Sequence, residues 1–244
     1  SDVCSSDLGA AWLLAITQSS SSDCRINRKI ITKAGPIPYK FDTIRKMAFI
    51  EVPCDVHVHK HEVSPEEAAE AGIPISVAEN ILGPSSVVSI VKGVTFVMVE
   101  LPSNNILSTV AGSINAKKLR GSLDHPWYTG DHFGTWYFVN NGQTEDGTVQ
   151  ISSRMVTHDG ALEDPATGSA ASAFSVYWAR RVWGGRDKDA PNSSITSFDI
   201  TQGVDMGRPS KIKTEVELDS GTAAVRKVVL GGSVVQVMEG YIVI

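Results

Sequence analysis

The chain has 244 residues, of which 42% are hydrophobic and 20% charged, with a formal net charge of −5. That length buries a sizeable core as one large or two small domains, and the composition is that of an ordinary globular protein. The acidic balance, without a basic stripe, argues against a nucleic-acid surface, and no apolar run reaches the length of a membrane span.

Residues 1–8 read Ser-Asp-Val-Cys-Ser-Ser-Asp-Leu. This octapeptide is one reading frame of a widely used sequencing-adapter string, so it is expected to be a non-native scar and is set aside as a tag would be. With Cys4 inside it, Cys24 and Cys54 remain. They make no disulfide framework and suit a reducing, cytoplasmic setting. Leu8–Ile16 is apolar but short and has no basic start, so it does not read as a signal peptide. Gly9–Thr17 reads as a helix, and Gln18–Asp23 as a polar serine linker. Ile26–Lys33 and Met47–Val52 read as strands joined through a Gly35-Pro36 turn, and Val56–Val63 alternates as a further strand. Ser64-Pro65-Glu66-Glu67 opens a short helix with a cap, a proline in the first turn and early acids. Ser76–Leu82 reads as a second short helix, and Val87–Lys92 and Thr95–Leu101 as strands paired about Gly93. Asn104–Ala116 leans to helix, while Gly134–Val139 and Val149–Met155 resemble strands. A longer helix starts at Gly168 and ends on Arg180 and Arg181 before Gly184-Gly185. Ser194–Gln202, Lys211–Leu218, Arg226–Leu230 and Ser233–Ile244 read as strands, with Gly231-Gly232 as a bulge or turn. Strands around helices without a regular βαβ beat predict an α+β fold. The small-residue helix starts at Gly9 and Gly168 form a faint repeat, as two similar lobes would give.

His57-Val58-His59-Lys60-His61 is the conspicuous side-chain cluster. At a two-residue period the three imidazoles share one strand face, a set that suits zinc or a similar metal. Cys54 and Glu62 lie out of phase, so a solvated histidine face is the plainer expectation. No Gly-x-Ser-x-Gly elbow points to a serine nucleophile.

The run Leu162-Glu163-Asp164-Pro165-Ala166-Thr167-Gly168-Ser169-Ala170 carries more chemistry. Pro165 pushes Asp164 out of the α region and begins a turn. Thr167 or Ser169 is placed to cap the helix, whose free N–H groups at Thr167–Ala170 would cradle an anion beside the Asp164 carboxylate. This run resembles the signature of the PhzF-like family, the phenazine-biosynthesis-like isomerases with the diaminopimelate-epimerase fold. Ile31–Pro38, Val88–Phe96, Thr201–Ser210 and Gly231–Val235 extend the resemblance over most of residues 9–244.

The resemblance implies a two-lobed fold, each lobe a curved sheet around one central helix, with the site between the lobes. Residues 9–83 would be a remnant of the first lobe and 84–244 the second, the last strand returning to the first. It also implies a cofactor-independent isomerase or epimerase, without a metal, moving a proton on a small carboxylate-bearing metabolite. Asp164 would orient the substrate or relay a proton, and Thr167, Gly168, Ser169 and Ala170 would hold its carboxylate. Gln202, Gly203 and Arg208 would line the same site from a glycine-rich loop. The family's acid-bearing Ser-Glu segment and its Gly-His motif, which would precede Gly9, have no counterpart in the chain. The fragment is therefore expected to be truncated, to lack the catalytic glutamate and to be inactive. A homodimer is compatible with the family; a nucleic-acid or membrane partner is not expected. Two alternatives stand: a non-catalytic binding or scaffold protein of the same fold, and a metalloprotein built on His57–His61.

Overall fold

A computed structural model describes residues 9–11, 28–32, 35–42, 44–130, 132–158, 160, 162–183 and 193–234. Twelve strands are described: β1 (Arg28–Thr32), β2 (Gly35–Asp42), β3 (Met47–Glu51), β4 (His57–Val63), β5 (Ser85–Val91), β6 (Val94–Glu100), β7 (His132–Gln143), β8 (Val149–Thr157), β9 (Glu163–Asp164), β10 (Ser193–Gln202), β11 (Ser210–Asp219) and β12 (Val225–Ser233). Four short helices, α1 (Pro65–Ala71), α2 (Ile75–Ala78), α3 (Asn104–Ser108) and α4 (Ala116–Leu119), accompany the long α5 (Gly168–Trp183). The class is α+β.

The strands form one sheet in the order β1-β2-β3-β12-β11-β10-β8-β7-β6-β5-β4, with β9 attached to β8. β4 pairs β5 and β12 pairs β3, so strands on both sides of residue 83 are continuous in the sheet. Most neighbours are antiparallel; β6–β7 and β8–β10 are parallel. A parallel pair needs a crossover. α5 provides it between β8 and β10, which brings its first residues to the carboxyl ends of both strands.

The face of the sheet turned to α5 holds the main core. Phe174 on α5 is fully buried, with ring centroids 4.7 Å from Phe138, 5.6 Å from Trp178, 6.0 Å from Phe198 and 6.3 Å from Trp136. Ala170, Ala171 and Ala173 let the strands approach the helix, and all are buried. Ala11, in the helical residues 9–11, belongs to the same apolar cluster. On the other face, Val63, Val97, Val99, Phe133, Tyr137 and Val139 pack under α1–α4. Strand alternation produces this division: in β7, Trp136 and Phe138 face α5 while Tyr137 and Val139 face the short helices.

Ser64 caps α1 by accepting from the Glu67 N–H at 3.1 Å, as the sequence suggests. β5 and β6 pair about Gly93, whose φ of +87° suits a glycine. Three expectations need correction. Gly35-Pro36 is the start of β2, not a turn between strands; Thr32 pairs Gly35 in a β1–β2 hairpin. Pro36 and Pro38 obscure that strand, yet they precede the stretch paired with β3, which begins at Tyr39. Asn104–Ala116 is not one helix: α3 ends at Ser108 and α4 starts at Ala116, capped by Asn115. Gly231-Gly232 lies within β12, where a Cβ on Gly231 would sit 2.4 Å from the Phe49 ring. The expected helix beyond Ala11, the serine linker and the strand beyond residue 234 fall outside the described residues.

If α5 is the pillar of this core, Phe174→Ala should lower unfolding free energy by about 3–5 kcal/mol. Leu162→Ala, at an exposed position, should change it by less than about 0.5 kcal/mol. Urea titrations compare the two; equal losses would remove Phe174 from its central place.

Candidate functional site

The site is built where β8, β9, β10 and α5 meet. β9 has two residues, with Glu163 opposite Val156 and Asp164 opposite Met155. After Asp164 the chain turns through Pro165 and Ala166 into α5. The Asp164 carboxylate closes that turn itself: Oδ1 accepts from the Ala166 N–H at 3.1 Å, and Oδ2 from the Thr167 hydroxyl at 2.8 Å. Each oxygen thus takes one bond from the chain and keeps further acceptor capacity.

Gln202, the last residue of β10, braces this turn. Its Nε2 donates to the Asp164 carbonyl at 2.5 Å and to Thr167 Oγ1 at 3.0 Å, and its Oε1 accepts from the Thr167 N–H at 3.1 Å. Gln202 is 0% and Thr167 5% exposed, so these bonds form away from solvent. The sequence suggests ligand contact for Gln202; in the structure its amide braces the turn. Gly203 follows at φ +77°, and a Cβ there would lie 2.5 Å from the Arg208 carbonyl and 2.9 Å from that of Pro165. Only glycine lets the 203–208 loop rest against the Asp-Pro turn. Arg208 is exposed and joins this loop through its backbone, its N–H donating to the Gly203 carbonyl at 3.0 Å.

The Thr167 carbonyl accepts the Ala171 N–H at 3.0 Å, the first bond of α5. The Thr167 hydroxyl does not cap the helix, because it is committed to Asp164 and Gln202. The N–H groups of Gly168, Ser169 and Ala170 therefore have no acceptor among the described residues. Three unpaired donors at the positive end of a sixteen-residue helix, next to a carboxylate, are suited to an anionic group of a ligand.

Two surface cavities lie elsewhere. One of about 910 Å³ is lined by residues such as Arg45, Asp146, Asp199 and Lys213, and one of about 790 Å³ by residues such as Tyr39, Phe41, Ile195 and Val229. Neither includes Asp164 or the start of α5. Size does not make them better candidates, because neither gathers unpaired donors against a fixed carboxylate.

The histidine strand meets a partner that its own period does not reveal. Asp124, 67 residues away, accepts from His57 Nε2 at 2.9 Å and from the Lys60 N–H at 3.1 Å. His57 also stacks on Trp127. His57, His59 and Asp124 bring ligand-type atoms within 4.8 Å of one another. The hydrogen-bond polarity does not fit a metal. The Asp124 N–H donates to His59 Nδ1 at 3.0 Å and fills its lone pair. The ring proton then sits on Nε2 and donates to Ser89 Oγ at 2.9 Å, whose hydroxyl reaches Thr95 Oγ1 at 2.7 Å. The same polarity disqualifies Ser89 as a nucleophile, since an activating histidine must accept the serine proton. His61 is engaged separately with Glu67 at 2.9 Å. Cys54 takes no part, and burial pushes its thiol up to about 11.

The comparisons concern the family and the fold. The profile of the family described as phenazine biosynthesis-like protein matches residues 8–240. A crystal structure of the Bacillus anthracis phenazine biosynthesis protein of the PhzF family superposes with a TM-score of 0.65 at 16% identity, covering 96% of this chain and 73% of that one. A predicted epimerase from Pseudomonas aeruginosa superposes with a TM-score of 0.59 at 20% identity, covering 93% and 69%. These likenesses establish the diaminopimelate-epimerase-like fold. An uncharacterised isomerase of Mesorhizobium japonicum is 40% identical over 80 residues, which is 33% of this chain and 24% of that protein. The match thus spans about a quarter of that relative's length.

His59, 3% exposed, is held neutral by burial and by nearby His57, down to about 4 from its ordinary 6.5. The unfolded chain therefore takes up this proton first on acidification. The His59 contribution to stability is lost as pH drops from about 6.5 to about 4, about 3 kcal/mol in all. Urea titrations across this range should show a shallower pH dependence in His59→Gln than in the parent. Identical slopes would remove His59 as its source.

Proposed function

This chain belongs to the phenazine biosynthesis-like protein family, and on that premise we propose that it is a cofactor-independent isomerase or epimerase acting on a small carboxylate-bearing metabolite. The observation that carries this reading is the set of three unpaired N–H groups at Gly168, Ser169 and Ala170 beside the fixed carboxylate of Asp164.

Moving a proton between carbons near a carboxylate builds negative charge on the carboxylate oxygens in the transition state. Donors already aimed at those oxygens stabilise that charge without reorganising, which is where most of such an enzyme's advantage arises. The α5 amides have that property, because the Gln202 brace fixes the residue before them. Asp164 orients the polar part of the substrate with its remaining acceptor capacity, or relays the proton that the family's glutamate takes from carbon. Such positioned acid–base groups contribute about 10²–10⁴ in rate.

The test is a titration of amide NMR shifts with sodium acetate. Shifts should concentrate at Gly168, Ser169 and Ala170. Gly168→Val should abolish them by blocking backbone approach, whereas Ser169→Ala should weaken them only slightly, and a chelator should change nothing. Movement of other amides while these three stay still would displace the site. Catalysis is read in the protein extended by the family's Ser-Glu segment, by deuterium uptake from D2O into C–H positions of a panel of small carboxylic acids. Asp164→Asn should slow it by about a hundredfold or more. Wild-type uptake in that variant would remove Asp164 from the chemistry. Acetate binding without any uptake in that extended protein would favour a binding protein of the same fold.

A further inference from the structure

Glu163 and Asp164 are the two residues of β9, so their side chains point to opposite faces. Asp164 faces the start of α5. Glu163 faces the other way and meets Arg154 of β8. The guanidinium grips it in a fork: Nε donates to Oε1 at 2.8 Å and one terminal nitrogen to Oε2 at 2.7 Å. The other terminal nitrogen donates to the Leu107 and Ser108 carbonyls at 3.0 and 3.2 Å, at the end of α3. The Arg154 side chain is 11% exposed, which makes the fork poorly accessible to competing water. The hydrogen bond to Glu163 raises the guanidinium's already high pKa, so the arginine stays charged.

A two-residue strand has little pairing of its own to hold its register. Slippage by one residue would exchange the faces of Glu163 and Asp164. We propose that Arg154 is a positioning residue for Asp164: by clamping Glu163 to α3 from the outer face, it fixes the Asp164 carboxylate beside the amides of α5. This rests on the reading of that carboxylate and those amides as the site. Lysine cannot replace the arginine fully, because the fork and the two carbonyl contacts need a planar guanidinium.

The reporters are the Ala166 N–H, bonded to the Asp164 carboxylate, and the Thr167 N–H, bonded to Gln202. Amide hydrogen exchange is measured on the whole chain, as parent, Arg154→Met and Arg154→Lys. Loss of the clamp should speed exchange at Ala166 and Thr167 roughly tenfold or more, the size expected for a charge-assisted bond. Phe174 and Val216, in the core, should keep parent rates. Arg154→Lys should recover part of the protection and serves alone if Arg154→Met fails to fold. Unchanged exchange at Ala166 and Thr167, or equal acceleration at Val216, would overturn the positioning role. An acetate titration on the same samples judges the site separately. Acetate that moves none of the Gly168–Ala170 amides in the parent defeats the functional reading, while the exchange data still decide whether Arg154 holds the Asp164 turn. Where both stand, the variant that loses exchange protection should also lose acetate affinity about tenfold.

Discussion

The carboxamide of Gln202 is the constraint on which the site geometry depends. It lies at the end of β10, fully buried, and each of its polar atoms is spent on the turn between β9 and α5. A buried amide left unpaired would cost about 1–3 kcal/mol, so the network is stable only when complete. Completing it turns the Thr167 hydroxyl toward Asp164 and Gln202 and away from the first N–H groups of α5. The N–H groups at the helix start are consequently left for something outside the described chain. A local hydrogen-bonding requirement thereby becomes a binding property.

The sheet explains why these pieces meet. β8 and β10 are parallel, with Phe198–Gln202 in register with Val149–Ser153, so both end on the same side. The crossover helix α5 begins on that side as well. Phe174 and its ring neighbours hold α5 against the sheet, and Gly203 lets the following loop touch Pro165. The histidine strand occupies the far end of the sheet, where His59, Ser89, Thr95 and Asp124 tie β4, β5 and β6 to the 120–130 loop. Hydrogen-bond direction there makes a structural mesh out of residue types that would suit zinc or a nucleophilic triad.

Much of this was legible in the sequence, for identifiable reasons. The Asp-Pro turn and the glycine-led helix are local signals, and the Val87–Leu101 hairpin announces itself through β-branched residues around Gly93. The resemblance carried by Asp164–Ala170 led to the right family and fold. What the sequence hid was long-range or local in the wrong sense. Two prolines disguised β2, which pairs with β1 on one side and β3 on the other. Asp124 is 67 residues from His57, and the strand pattern had no means of naming it. Gln202 stood out as part of a motif, but its role depends on the direction of a buried amide 35 residues from Thr167. Arg154 and Glu163 drew no notice, because an arginine on a strand and a glutamate before an aspartate are ordinary until pairing sets them face to face.

The central claim is that a substrate carboxylate sits on the first turn of α5 beside Asp164. A crystal structure of this chain with a small carboxylic acid bound tests it most directly. The account predicts carboxylate oxygens about 3 Å from the Gly168, Ser169 and Ala170 nitrogens, with the Gln202–Thr167–Asp164 network unchanged. A carboxylate held instead in the groove of Arg45 and Lys213, with the α5 amides turned to solvent, would contradict it.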